Sequence, residues 1–221
     1  QWTLPVPDPD KIVCVGLNYR EHVEEMGREV PVHPTYFAKF RSALIGDGDD
    51  IALPPAAVSE MVDWEAELCI VICQRARNVA AGDALDHIAG YTIMNDVSVR
   101  DWQRRTGQFL AGKTFEQTTP VGPVITTTDE LADARGLRLT TTVDGIIKQD
   151  STTDGLVFGV TELIADLSTI LTLEPGDLVA TGTPSGVGAG RTPPEWLTDG
   201  AELVTAIEGI GELHNRCVRA G

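Results

Sequence analysis

Glu65 and Glu67 stand two residues apart in the run Val62-Asp63-Trp64-Glu65-Ala66-Glu67-Leu68-Cys69-Ile70-Val71-Ile72. Asp96 closes a second β-type run, Gly90-Tyr91-Thr92-Ile93-Met94-Asn95-Asp96. In a strand, residues i and i+2 point to the same side, roughly 7 Å apart. The two glutamates therefore share a face, with Trp64, Ala66, Leu68, Ile70 and Ile72 on the other. Carboxylates held side by side repel unless a cation or a proton lies between them. Three oxygen donors without His or Cys suit a hard divalent ion, Mg2+ or Mn2+, with water or substrate completing its shell. This pattern points to a metal-dependent enzyme. The plainer alternative for a Glu-x-Glu pair is the solvated outer face of an antiparallel sheet.

The elements that must position these residues are mostly strands. β-type runs cover Ile12–Gly16, Glu65–Cys73, Tyr91–Asp96, Gly122–Thr127, Leu137–Val143, Leu178–Thr181 and Leu203–Ile207. Helical spacing is clearest over Val160–Leu171, where Leu163, Ile164, Leu167, Ile170 and Leu171 share a face and Pro175-Gly176 follows as a turn. Further helices are expected over Val97–Thr106, stopped at Gly107, and over Gly82–Ile88. The Asp- and Pro-rich stretch between Gly46 and Met61 reads as a loop. The sum is a β-rich α+β domain with elaborate loops.

The 221 residues suffice for one substantial core. No apolar stretch is long enough to span a bilayer, and no signal-peptide pattern opens the chain. Gln1 in place of Met leaves room for a leader, tag or N-terminal segment ahead of it. Residues 1–10 are read as the remnant of such a segment or a linker, and 11–221 as the catalytic domain. Seventeen basic against 33 acidic residues give a net charge of −16, which opposes binding to nucleic acid or anionic membranes. An anionic substrate then needs a local cation. The four cysteines, Cys14, Cys69, Cys73 and Cys217, lack CxxC spacing and read as structural thiols of a reducing cytoplasm. Cys69 and Cys73 continue the side of the sheet that bears the two glutamates. His33, His87 and His214 show no zinc spacing. Gly186-Val-Gly188-Ala-Gly190 is not a nucleotide loop, because the third glycine spacing and a following helix are absent.

Several local patterns then occur in a fixed order. They are Lys11-Ile-Val-Cys-Val-Gly-Leu-Asn-Tyr-Arg-Glu-His22-Val-Glu-Glu25-Met, Glu65-Ala-Glu67-Leu, and Gly90-Tyr-Thr-Ile-Met-Asn-Asp96-Val-Ser-Val-Arg100-Asp-Trp-Gln103. Gly112-Lys113-Thr-Phe, Pro120-Val-Gly-Pro123 and Leu173-Glu-Pro-Gly-Asp-Leu-Val-Ala-Thr-Gly-Thr183-Pro-Ser-Gly-Val-Gly188 follow. Together they resemble the fumarylacetoacetate hydrolase family over nearly the whole chain. The resemblance implies mixed β-sheets rolled around a central site with a few flanking helices. It also implies Mg2+ or Mn2+ on Glu65, Glu67 and Asp96, a mobile lid bearing His22, a homodimer, and small 2-oxo acid or dicarboxylate substrates, including diacids of aromatic-ring degradation. The chain departs from the family pattern at Glu116, where Asp is common, and at Asp144-Gly145, where Asn-Gly is common.

Read as chemistry, His22 and Glu25 fall on one helical face, where a carboxylate can orient an imidazole as general base. Read alone, the pair is better taken as a surface ion pair on a short helix; the resemblance reverses that and favours the base. Lys113 is expected to compensate an enolate oxyanion. Gln103, two helical turns beyond Asp96, and Thr183, in a glycine-containing turn, are expected to bind the substrate carboxylate. Arg100, four residues after Asp96, is expected to neutralise that carboxylate.

The leading expectation is hydrolysis of a carbon–carbon bond in a 3-acylpyruvate-type acid through a metal-stabilised enolate. Isomerisation of 2-hydroxyhepta-2,4-diene-1,7-dioate or decarboxylation of oxaloacetate would use the same site. A metal- or metabolite-binding β-domain without catalysis is the rival from another class, and the presence of both His22 and Glu25 speaks against it.

Overall fold

Apolar alternation with period two dominates the sequence, and the computed structural model, which describes residues 4–219, is built accordingly on strands. In chain order these are β1 (Ile12–Gly16), β2 (Thr35–Lys39), β3 (Leu44–Ile45), β4 (Asp50–Leu53), β5 (Val62–Asp63), β6 (Ala66–Ile72) and β7 (Ile88–Asn95). They continue with β8 (Ser98–Val99), β9 (Thr119–Thr127), β10 (Arg138–Val143), β11 (Ile146–Thr152), β12 (Leu178–Ala180), β13 (Glu202–Ile207) and β14 (Gly211–Arg219). The helices are α1 (Arg20–Glu25), α2 (Arg100–Gln103), α3 (Leu110–Lys113), α4 (Thr128–Leu131) and α5 (Val160–Ile170).

One mixed sheet runs β2-β1-β12-β6-β7-β9-β3, with the β1–β12 and β3–β9 pairs parallel. A second runs β11-β10-β13-β14-β4, with β14 parallel to β4. β5 and β8 form a small antiparallel ribbon of their own. Ala66, Leu68, Ile70 and Ile72 of β6 face a core shared with Val160, Ile164 and Leu167 of α5 and with Leu139, Ile207 and Leu213 of the second sheet. Cys69 and Val71 face the other way, against Ile12, Cys14, Met94 and Leu178. All of β6 is buried, which is why it reads as a near-continuous apolar run. The molecule is a strand-rich α+β fold of curled mixed sheets with few helices.

β1, β6, β7, β9, β10, β12 and β13 lie where the period-two runs place them, and α5 starts at the expected Val160. Other expectations change. Ser98 and Val99 pair with Asp63 and Val62 instead of starting a helix, so only the single turn Arg100–Gln103 of the expected Val97–Thr106 helix forms. Residues expected as the Gly82–Ile88 helix form a 3-10 segment, Ala81–His87. The presumed loop before Met61 contains β4, because β14 offers it a parallel partner from the far end of the chain. Cys73 falls beyond a register shift between Val71 and Ile72 and is exposed, so it does not continue the glutamate side.

Candidate active site

The pairing of β6 with β7 builds the acidic cluster. Ala66 lies opposite Asn95 and Glu67 opposite Met94, and the Asp96 N–H donates to the Glu65 carbonyl oxygen at 2.8 Å beyond the last strand pair. Residues directly opposite in an antiparallel pair share a face. Glu65, Glu67 and Asp96 therefore converge, each offering a carboxylate oxygen within 4.8 Å of the others. They are 5%, 1% and 0% exposed, which rules out the solvated-face alternative.

Three buried cations counter this charge. Lys113 Nζ, brought in by α3, lies 2.5 Å from Glu65 Oε2 and 2.7 Å from Asp96 Oδ2. Lys39 Nζ, at the end of β2, donates to Asp96 Oδ1 at 2.5 Å. Arg100 Nη1 lies 2.7 Å from Glu65 Oε1, while its Nε donates to Asp63 Oδ2 at 2.7 Å. Arg100 thus pairs with Glu65 and Asp63 and not, as its spacing suggested, with Asp96. Asp96 lies just past the end of β7, outside any helix, so no helical turn links the two positions. Burial pushes the Glu65 carboxyl up, but the attraction of Lys113 and Arg100 outweighs it and holds Glu65 well below the usual carboxylate range. Burial alone would lower the Lys113 ammonium, yet Asp96 and Glu65 raise it.

Glu67 differs. Its Oε2 accepts from the Gly182 N–H at 2.7 Å, and no described cation pairs with it. Burial, then Asp96 and Glu65, push its carboxyl well above the ordinary value. A buried carboxyl in that position calls for a positive charge. Each carboxylate oxygen also has a lone pair to spare beside its lysine or arginine partner. The donor set is hard, buried and acidic, and it fits Mg2+ or Mn2+.

The remaining predicted residues surround the same space. His22 on α1 is buried, with its Nδ1 2.9 Å from Glu25 Oε2. Glu25 Oε1 accepts from the Gly186 N–H at 2.9 Å. Gln103 Oε1 accepts from Arg100 Nη1 at 2.9 Å, and Thr183 Oγ1 accepts from Gln149 Nε2 at 2.8 Å. His22, Glu65, Glu67, Gln103, Lys113 and Thr183 line one cavity of about 360 Å³. Asp96 sits behind them on the two lysines, and Glu25 behind His22.

Two residues escaped the sequence reading. Lys39 ends a short aromatic β-type run, and nothing local marks it as buried. Asp63, 0% exposed, accepts from the N–H groups of Trp64, Gly188 and Ala189 at 2.8, 2.6 and 3.0 Å as well as from Arg100. It ties the 186–190 loop, which supports Glu25, to the arginine that supports Glu65. Its position two residues before Glu65 on the same strand parity was the available signal.

Comparison with known proteins follows the same lines. The fumarylacetoacetate hydrolase C-terminal family model matches residues 11–218. The mitochondrial oxaloacetate tautomerase FAHD2A of Bos taurus is 46% identical over 216 residues, covering 97% of this chain and 68% of the relative. The crystal structure of 5-carboxymethyl-2-hydroxymuconate delta-isomerase from Mycobacterium smegmatis superposes with a TM-score of 0.88 at 39% identity, covering 100% of this chain and 83% of that one. Fumarylpyruvate hydrolase from Pseudomonas aeruginosa, solved with Mn2+ and pyruvate, gives a TM-score of 0.86 at 30% identity, covering 96% and 91%.

Proposed function

This chain belongs to the fumarylacetoacetate hydrolase family, and from that premise we propose a divalent-metal-dependent enzyme of enolisable 2-oxo acids, with residues 11–221 as its catalytic domain. Its first activity is taken to be keto–enol tautomerisation of a 2-oxo dicarboxylate such as oxaloacetate. The observation that carries this reading is the buried Glu65, Glu67 and Asp96 cluster opening on the same cavity as the His22–Glu25 pair. The 46% identity to an oxaloacetate tautomerase supports the choice of substrate.

Mg2+ or Mn2+ held by Glu65, Glu67 and Asp96 would supply Lewis-acid stabilisation of the negative charge that develops on the 2-oxo oxygen. Glu25 engages His22 Nδ1 and sets the imidazole tautomer, which leaves Nε2 to carry a proton between substrate C3 and the 2-oxo oxygen, the net change of a tautomerisation. Lys113 adds fixed positive charge beside the oxyanion. Gln103 Oε1 is occupied by Arg100, so its amide N–H groups remain to donate to a carboxylate. The Thr183 oxygen accepts from Gln149, which leaves its hydroxyl proton free to do the same.

The second reading is hydrolysis of a 3-acylpyruvate carbon–carbon bond, with His22 activating water. Similarity to a fumarylpyruvate hydrolase favours it. Isomerisation of a longer diacid and decarboxylation share the enolate. We also propose a homodimer working in a reducing compartment such as the cytoplasm, although the Bos taurus relative is named as mitochondrial. Among the described residues no helix is long and apolar enough to cross a membrane.

The test is chelator-stripped protein with and without Mn2+ or Mg2+. Metal-dependent loss of oxaloacetate enol absorbance establishes the tautomerase; acetate plus pyruvate from acetylpyruvate moves the assignment to hydrolase. His22→Ala should retain Mn2+ while turnover falls about 100-fold or more. Parental turnover in that variant would remove His22 from the chemistry.

A further inference from the structure

We infer that Arg28 and Arg104 form a subsite on the rim of the active-site cavity that binds the distal carboxylate of a dicarboxylic substrate. The inference rests on the metal-enolate reading above and deepens it by naming what selects a diacid over a monoacid.

Four cationic side chains line the cavity. Arg100 and Lys113 are committed to buried carboxylates on its floor. Arg28 and Arg104 also line it, are exposed, and neither pairs with a carboxylate nor donates a side-chain hydrogen bond among the described residues. Arg20 and Arg216, also exposed and without an acidic partner among the described residues, lie away from the cavity, whereas Arg41 meets Asp8, Arg75 meets Glu174 and Arg138 meets Asp150. The neighbouring Arg105 is engaged as well, its guanidinium 3.4 Å from the Trp102 ring centroid. Of that adjacent pair, only Arg104 is directed to the cavity.

Both rim arginines are placed by helix ends and not by flexible loops. The α1 helix that carries His22 and Glu25 ends at Gly27, whose φ of 61° is left-handed. The Gly27 N–H bonds to Glu24 O and the Arg28 N–H returns to Val23 O, both at 2.9 Å, which is the Schellman pattern. Arg28 therefore leaves the lid helix at a fixed point. Arg104 caps α2, the turn that carries Arg100 and Gln103, with its N–H on Arg100 O at 3.1 Å. A basic residue at a helix C-terminus eases the helix dipole. That accounts for neither the shared cavity nor the missing acidic partners.

Charge matching gives the ligand class. On the floor, Asp63, Glu65, Glu67 and Asp96 stand against Lys39, Arg100 and Lys113. A divalent ion turns this deficit of one positive charge into a surplus of one, which the substrate's own 2-oxo-acid carboxylate consumes. A second carboxylate then meets no counter-charge on the floor. The rim guanidiniums supply it, in the bidentate geometry that suits a carboxylate.

The test is calorimetric titration of the Mn2+-loaded protein with oxaloacetate and with its 4-methyl ester, which keeps the 2-oxo acid end and loses the distal charge. The parent should prefer oxaloacetate by about tenfold or more, and the preference should shrink with rising salt because the guanidiniums are exposed. Arg28→Ala and Arg104→Ala should each weaken oxaloacetate binding about tenfold, and the double variant should bring the two ligands level. In steady state the loss should appear in KM, with kcat little changed, and Arg→Lys should recover part of it. Equal affinity for both ligands in the parent, or a preference that survives in the double variant, would overturn the subsite while leaving the enolate reading intact. Failure to bind either 2-oxo acid would bring down both.

Discussion

Glu67 is the residue on which the metal reading turns. Glu65 and Asp96 are satisfied by lysine and arginine, whereas Glu67 has only a backbone amide. With its carboxyl raised by burial, Asp96 and Glu65, the metal-free protein gains nothing from ionising it. Glu67→Gln should therefore leave the metal-free protein at least as stable as the parent, because the amide keeps the shape, can accept from the Gly182 N–H and adds no negative charge to the cluster. The same change should cut Mn2+ affinity by at least about 100-fold, since an amide brings no charge to the ion. A paired measurement of melting temperature without metal and Mn2+ binding by electron paramagnetic resonance checks both. Unchanged affinity would remove Glu67 from the ligand set.

At the scale of elements, two pieces do the positioning. The β6–β7 register sets Glu65 against Asp96, and the loop 186–190 sets the His22–Glu25 pair. Gly190 packs so closely on Glu25 that a Cβ there would fall 2.6 Å from the carboxyl carbon and 2.7 Å from Oε1. Gly190→Ala must push the Glu25 carboxylate off the Gly186 N–H and out of line with the imidazole. The acidic cluster lies on other elements and is untouched. Turnover should fall by up to about 100-fold, as small misplacements of a general base allow, while Mn2+ affinity holds. Equal losses in both would mean that the loop supports the metal ligands directly, through Asp63 and Arg100.

For the whole molecule, the acidic cluster concentrates buried negative charge where β6 and β7 end side by side. A divalent ion that binds only the folded chain stabilises it by mass action, by about 4 kcal/mol at a thousand times its dissociation constant. For a chain of this size that corresponds to roughly 8–16 °C in melting temperature. Chelation should lower the transition by that order, and added Mn2+ should restore it, as read by scanning calorimetry. A transition indifferent to chelator and to added Mn2+ would show that the cluster holds no ion in the folded chain. Net charge of −16 works in the same direction over the surface, so moderate salt should raise the metal-free transition by screening self-repulsion.

What the amino-acid order determined by itself was whatever depends on local period and residue type. Alternation placed Glu65 and Glu67 on one side of a strand, helical spacing placed α5, and an ordered set of short patterns carried the family and with it the fold class. His22 and Glu25 were legible as a pair because three residues make one helical turn. Tertiary structure decided everything whose partner is distant. Lys39 and Asp96 are 57 residues apart and Arg100 and Asp63 are 37 apart, so neither ion pair leaves a local trace. Helical spacing misassigned the Arg100 partner because the i,i+4 rule holds only inside a helix, and Asp96 lies just past β7 and ahead of α2. β4 was hidden for a related reason: its four-residue signal is weak, and its strand partner among the described residues, β14, lies at the other end of the chain. The rim arginines belong to this class too. Each is one charge among 17 in the sequence, and only the fold puts both on the lining of one cavity.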